Sequence, residues 1–161
     1  MRAAESRVLH RGNRDFNLFT NGAFSQYCNP LFPMPLVRVD VIEGRTDEQI
    51  AALSDAIQAV MVEHFAAPPL DKYQVIHEHR PGRIRALDTG LGYPRTDNIV
   101  LVQITQQGRS TEQKQAMYAA LSARLEILGV SPTDLIISVV ESTKADWSFG
   151  MGKAQFLTGD L

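Results

Sequence analysis

The chain has 161 residues, 44% of them apolar and 21% charged, the balance of a soluble globular domain with one core. Sixteen Lys and Arg against eighteen Asp and Glu leave a formal charge of -2, so no global basic field exists to hold nucleic acid or an anionic membrane. The single cysteine, Cys28, excludes an intramolecular disulfide framework and a cysteine-based zinc site, and no apolar run approaches the roughly 20 residues of a bilayer span. The expected setting is cytoplasmic, with neither nucleic acid nor membrane as partner.

Residues 1–33 differ from the rest. They carry Arg2, Arg7, Arg11 and Arg14 against Glu5 and Asp15, with no Lys. Neither helical nor alternating periodicity runs through them. Polar residues interrupt Phe16-Asn17-Leu18-Phe19-Thr20, so the apolar core of a secretory signal is missing. The Arg content resembles an organelle-targeting peptide, but Asn13, Asn17 and Gly22 break an amphipathic helix. Two readings fit: a disordered tail, or a start codon upstream of the working protein. The second is favoured because Met34-Pro35 opens the first well-formed strand. A domain of residues 34–161 would have twelve basic and sixteen acidic side chains, a formal charge of -4.

From Pro35 a pattern of strand, turn, capped helix and strand appears twice. Leu36 to Ile42 is rich in β-branched residues with polar residues alternating at its middle, which predicts a strand. Glu43-Gly44-Arg45 ends it. Thr46 with Gln49 forms a capping box, and Asp47 and Glu48 suit the positive end of a helix dipole. Ile50, Leu53, Ile57, Val60, Met61 and Phe65 then recur at helical spacing as a buried stripe. Pro68-Pro69 closes that helix, and Tyr73 to His79 reads as the second strand.

The second copy runs from Asn98. Ile99 to Thr105 is its first strand, and Gln107-Gly108-Arg109 stands where Glu43-Gly44-Arg45 stood. Ser110 with Gln113 repeats the capping box; Met117, Leu121, Leu125 and Leu128 supply the helix stripe. Pro132-Thr133-Asp134 echoes Pro69-Leu70-Asp71, and Leu135 to Val140 forms the last strand. Two right-handed βαβ units packing two helices on one face of a four-stranded sheet follow, an α+β two-layer domain. The uncovered apolar surface and the edge strands predict self-association.

Pro35 has the sharpest chemical argument. Internal proline is a tertiary amide without basicity. Proline exposed by removal of an initiator Met is a secondary amine that can take or hold a proton, and burial or nearby cations lower its pKa toward neutrality. The plainer reading is a proline that starts a strand where no N–H is needed.

Met34-Pro35-Leu36-Val37, the duplicated βαβ plan and the stretch from Tyr73 to Arg83 resemble the tautomerase superfamily, and within it the malonate semialdehyde decarboxylase group. Asp88-Thr89-Gly90-Leu91-Gly92, Asp146-Trp147-Ser148-Phe149-Gly150 and Ala154-Gln155-Phe156-Leu157-Thr158-Gly159 agree with that group. The resemblance implies a trimer with an amino-terminal proline in each active site, acting without a cofactor on a small 2-oxo or 3-oxo carboxylic acid. Pro35 matches the catalytic proline. Asp71 matches an aspartate that orients a water or assists proton transfer. Arg109 matches one of two arginines that hold the substrate carboxylate, and the other falls on Gln107. With one cation fewer, carboxylate binding weakens and the proline is more basic. Tautomerase-type proton transfer is the first expectation, decarboxylation or hydration the alternative, and a non-catalytic binding trimer the outcome if the extension is retained.

The remaining features admit plainer readings. Trp147 and Phe149 are candidate walls of the substrate pocket, or ordinary packing of a C-terminal hairpin. His77 and His79 share a strand face, but two ligands without a third favour hydrogen-bonding histidines over a metal site, and none is expected. Arg80-Pro81-Gly82-Arg83-Ile84-Arg85 is a basic turn suited to an anion or to salt bridges between subunits. Gly90-Leu91-Gly92 lacks the following helix of a phosphate loop and reads as a turn.

Overall fold

Alternation of side chains builds the first strand, β1 (Leu36–Ile42): Val37, Val39 and Val41 are buried on one face, while Leu36, Arg38 and Asp40 take the other. The computed structural model describes residues 34–161; the expectations made for the extension and Cys28 lie outside the described residues. The strand passes through Gly44 into α1 (Asp47–Phe65), whose N-terminus is closed by the reciprocal Thr46–Gln49 capping box. The helix buries Leu53, Ile57, Val60, Met61 and Phe65 as its periodicity requires. Strand β2 (Tyr73–His79) follows, then β3 (Val100–Gln106), α2 (Thr111–Ile127) with its Ser110–Gln113 box, and β4 (Leu135–Glu141).

The sheet order is β2-β1-β3-β4. β1 runs parallel to β2, with Leu36 opposite Tyr73, and antiparallel to β3, with Leu36 opposite Thr105. β3 runs parallel to β4, with Val100 opposite Leu135. The two βαβ halves thus meet along their first strands, head to tail. Both helices cover one sheet face, where Val100, Val102 and Ile104 join the β1 valines and Met117, Leu121 and Leu125 of α2. The other face carries Leu36, Val75 and Val140, all exposed, around Arg38 and Asp40.

Three local expectations need correction. β3 starts and ends one residue later than periodicity placed it, and buried Ile99 precedes it. Leu128 is no member of the α2 stripe: it is 44% exposed, because the helix stops at Ile127 and Gly129 turns left-handed with φ +84°. The C-terminal segment forms no hairpin. It carries a 3-10 turn at Lys144–Asp146 and a short helix, α3 (Gln155–Thr158). Gly150, Met151 and Gly152 all have positive φ, a run that extended strands do not allow.

Candidate active site

The strand registers place Pro35, Asp71 and the Gln107-Gly108-Arg109 turn toward one end of the sheet. Pro35 is buried at the start of β1. One step beyond the Leu36–Thr105 pair, it faces Gln106, the last residue before the Gln107-Gly108-Arg109 turn. Asp71 lies two residues ahead of Tyr73, the partner of Leu36, and so approaches the same end from the β2 side.

Arg109 is fixed rather than mobile. Its guanidinium is 5.4 Å from the centroid of the Phe65 ring, donates through Nη1 to the Gln107 carbonyl at 3.1 Å, and donates through Nη2 to the Phe65 carbonyl. Only 8% of it is exposed, and burial draws its pKa down from the ordinary arginine value. The turn itself is held from β4. Glu141 accepts the Gly108 amide at 2.8 Å, Gln106 Nε2 at 3.1 Å and Lys114 Nζ at 2.8 Å. Lys114 is the largest cause of its lowered carboxyl pKa. Gly108 has φ +66°, the left-handed conformation that favours glycine.

Asp71 is the electrostatic anomaly. Its backbone is anchored, with N–H to the Pro68 carbonyl and its own carbonyl to Gln58 Nε2. Both carboxylate oxygens are buried without a hydrogen-bond partner among the described residues. Desolvation raises its pKa to about 6. The equivalent Asp134 of the second half is also buried, yet takes the Thr96 amide and hydroxyl, each at 2.7 Å. Gln107 is buried beside Arg109, and its Nε2 also has no partner among the described residues.

Trp147 and Phe149 stack with centroids 5.7 Å apart, and Phe149 packs against Tyr73 at 5.9 Å and edge-on to Phe156 at 5.3 Å. The Trp147 indole donates to Ser142 Oγ, which in turn donates to the Gln106 carbonyl. The aromatic cluster is thus moored to the residue facing Pro35 and to the ladder partner of Leu36. Sequence named Phe65 only as a member of the α1 stripe and Tyr73 and Phe156 only as parts of longer motifs, and it did not name Glu141.

The other candidates are absorbed by structure. His79 Nε2 lies 2.6 Å and His77 Nδ1 3.7 Å from Asp40 Oδ1, and Arg38 grips the same carboxylate. Asp88 fills the Gly90-Leu91-Gly92 turn by accepting the amides of Gly90, Leu91, Gly92 and Tyr93. Arg85 of the basic turn donates to the Gly82 carbonyl.

The duplicated βαβ frame, with two helices on one face of a four-stranded mixed sheet, is the tautomerase fold. Two family profiles, each described as "Tautomerase enzyme", match residues 35–92 and 71–150. The chain is 49% identical over 129 residues to "Probable tautomerase YrdN" of Bacillus subtilis (strain 168), spanning 80% of this chain and 100% of that one. It is 33% identical to "Probable tautomerase YusQ" of the same organism, over 77% of this chain and 99% of that one. A crystal structure of malonate semialdehyde decarboxylase superposes with a TM-score of 0.75 at 48% identity, covering 78% of this chain and 98% of that one. The chain belongs to the tautomerase family and is an enzyme of that superfamily.

Proposed function

We propose that the working enzyme begins at Pro35 and uses its free ring nitrogen to move a proton on a small 2-oxo or 3-oxo carboxylic acid, without a cofactor. The observation that carries this reading is the unpartnered, buried carboxyl of Asp71 toward the end of the sheet shared by Pro35 and Arg109. A buried polar group left unpaired costs stability, and such costs gather where chemistry needs them. Two findings on relatives support it: the match to YrdN takes 129 residues, and 128 remain from Met34 onward. The solved decarboxylase was also studied as a variant with alanine in place of its first-residue proline.

In this mechanism neutral Pro35 nitrogen takes the proton from the carbon next to the substrate carbonyl. The electron pair moves onto the carbonyl oxygen as an enolate, and the same proton returns at another position. Arg109, held by two carbonyls, grips the carboxylate and steadies the enolate charge. Asp71 takes the polar end of the substrate or a water, and Trp147 and Phe149 wall the apolar side. Gln107 donates an amide where a second guanidinium would sit. A trimer is proposed with it, and a fused 4-OT structure of the same fold is described as a symmetric trimer.

Decarboxylation is the second reading, favoured by the 48% identity to malonate semialdehyde decarboxylase. It needs Pro35 protonated, and the loss of one cation at Gln107 leaves the amine more basic. Assaying enol pyruvates and malonate semialdehyde on one preparation separates the two. Ketonisation without carbon dioxide release supports tautomerisation; carbon dioxide release as the dominant activity overturns it in favour of decarboxylation. No turnover of either, by a chain that retains residues 1–34, would leave a binding module.

A further inference from the structure

We propose that the cavity at the opposite end of β1, between Arg45 and Gly129, is a second and non-catalytic site for a small zwitterionic acid of the α-amino acid type. Adding 64 to the first-half numbers converts Gly44-Arg45 into Gly108-Arg109; past the helix ends the offset is 63, as Asp71 and Asp134 show, and Phe65 corresponds to Leu128. The two arginines therefore occupy equivalent places, but their surroundings differ. Under Arg109 lies the Phe65 ring. The equivalent residue of the second half, Leu128, is half-exposed and leaves the space beside Arg45 open. A cavity of about 510 Å³ lies there, lined by Arg45, Glu43, Gly44, Asp97, Asn98 and Gly129 among others, a volume within the range of small-ligand sites.

The charges of this cavity are unspent. Arg45 donates to the carbonyls of Ile42 (3.4 Å) and Asn98 (3.0 Å) and to the Asn98 side chain. A guanidinium has five N–H donors, so donors remain for a ligand. Among the described residues no carboxylate lies within ion-pairing distance of Arg45; Glu78 acts on it at longer range, while burial strips part of its hydration. Asn98 braces the guanidinium and is itself tied to the Gly129 carbonyl at 2.7 Å. Glu43 and Asp97 are exposed at the cavity, and neither side chain has a hydrogen bond or ion pair among the described residues.

One fixed cation flanked by two unengaged carboxylates repels a plain anion and attracts a molecule carrying both charges. The ligand carboxylate would pair with Arg45 and its ammonium with Glu43 and Asp97. Turnover is not available there. Ile99 replaces Pro35 by the same offset, and the equivalent aspartate, Asp134, is committed to Thr96.

The test is titration of the ¹⁵N-labelled full chain with L-alanine and with pyruvate, its oxo analogue, following the amides of Gly44, Asn98 and Gly129. L-Alanine is expected to shift these signals with a Kd on the order of 1 mM, and pyruvate to bind there about tenfold more weakly. R45Q should weaken L-alanine by about tenfold or more. E43Q/D97N, at two exposed positions that leave the fold intact, should erase the preference for L-alanine. Absence of shifts at these amides, pyruvate binding as tightly as L-alanine, or an unchanged preference in E43Q/D97N overturns the proposal. Binding is read without turnover, so the result stands apart from the fate of Pro35.

Discussion

The carboxyls of Asp71 and Asp134 stand at equivalent points of the two halves, yet among the described residues only Asp134 is satisfied, by Thr96. In the full-length chain this makes Asp71 a pH-dependent burden. Its folded pKa, about 6, lies above the ordinary 3.8, so the folded state prefers the protonated acid. Stability from this group is complete below about pH 4 and is lost as pH rises through 6. D71N removes the titration. Urea unfolding should show the variant gaining about 2 kcal/mol relative to the parent between pH 4 and pH 8, while catalysis falls. A pH-independent difference would refute the assignment of burial as the cause. In the proposed mechanism Arg109 acts on the Pro35 nitrogen by charge, so R109Q should raise the acidic limb of the pH–rate profile and increase KM. Q107R, adding a second cation, should lower both. A profile that does not move in either variant would separate Arg109 from the reacting amine.

At the scale of elements, most of the fold was legible because local chemistry and global packing agree. The capping boxes, the valine alternation in β1 and the stripe of α1 each mark one element, and their recurrence marks the duplication. T46A and S110A should each cost about 1 kcal/mol in chemical denaturation, and the double variant the sum, since each cap belongs to a different half. Strong non-additivity would mean the halves are coupled at their caps. The candidate site was legible only in part. Pro35, Asp71 and Arg109 could be named, but what fixes Arg109 could not. The Phe65 carbonyl is 44 residues away and the Glu141 carboxylate meets Gly108 across 33; no periodicity encodes such contacts. The C-terminal segment misled for a local reason, the positive φ run at Gly150, Met151 and Gly152.

For the whole molecule, α1 and α2 cover one sheet face, while the other has no helical layer among the described residues and meets Phe149 of the C-terminal segment at Tyr73. Leu36, Val75 and Val140 are exposed there around the Arg38–Asp40–His79 network. A stable assembly would bury this face. Sedimentation should give a trimer at micromolar concentration, and V75E, which sets a charge among the apolar residues, should give a monomer; a V75E trimer would place the interface elsewhere. The whole account turns on the freedom of one nitrogen. The most direct measurement is the kcat/KM for an enol pyruvate of the chain starting at Pro35, beside that of the intact chain from Met1. The account predicts efficient turnover by the first and a loss of at least about a hundredfold in the second, the scale set by removing a general base. Equal turnover by both, with the intact mass of the longer chain verified after the assay, would contradict it.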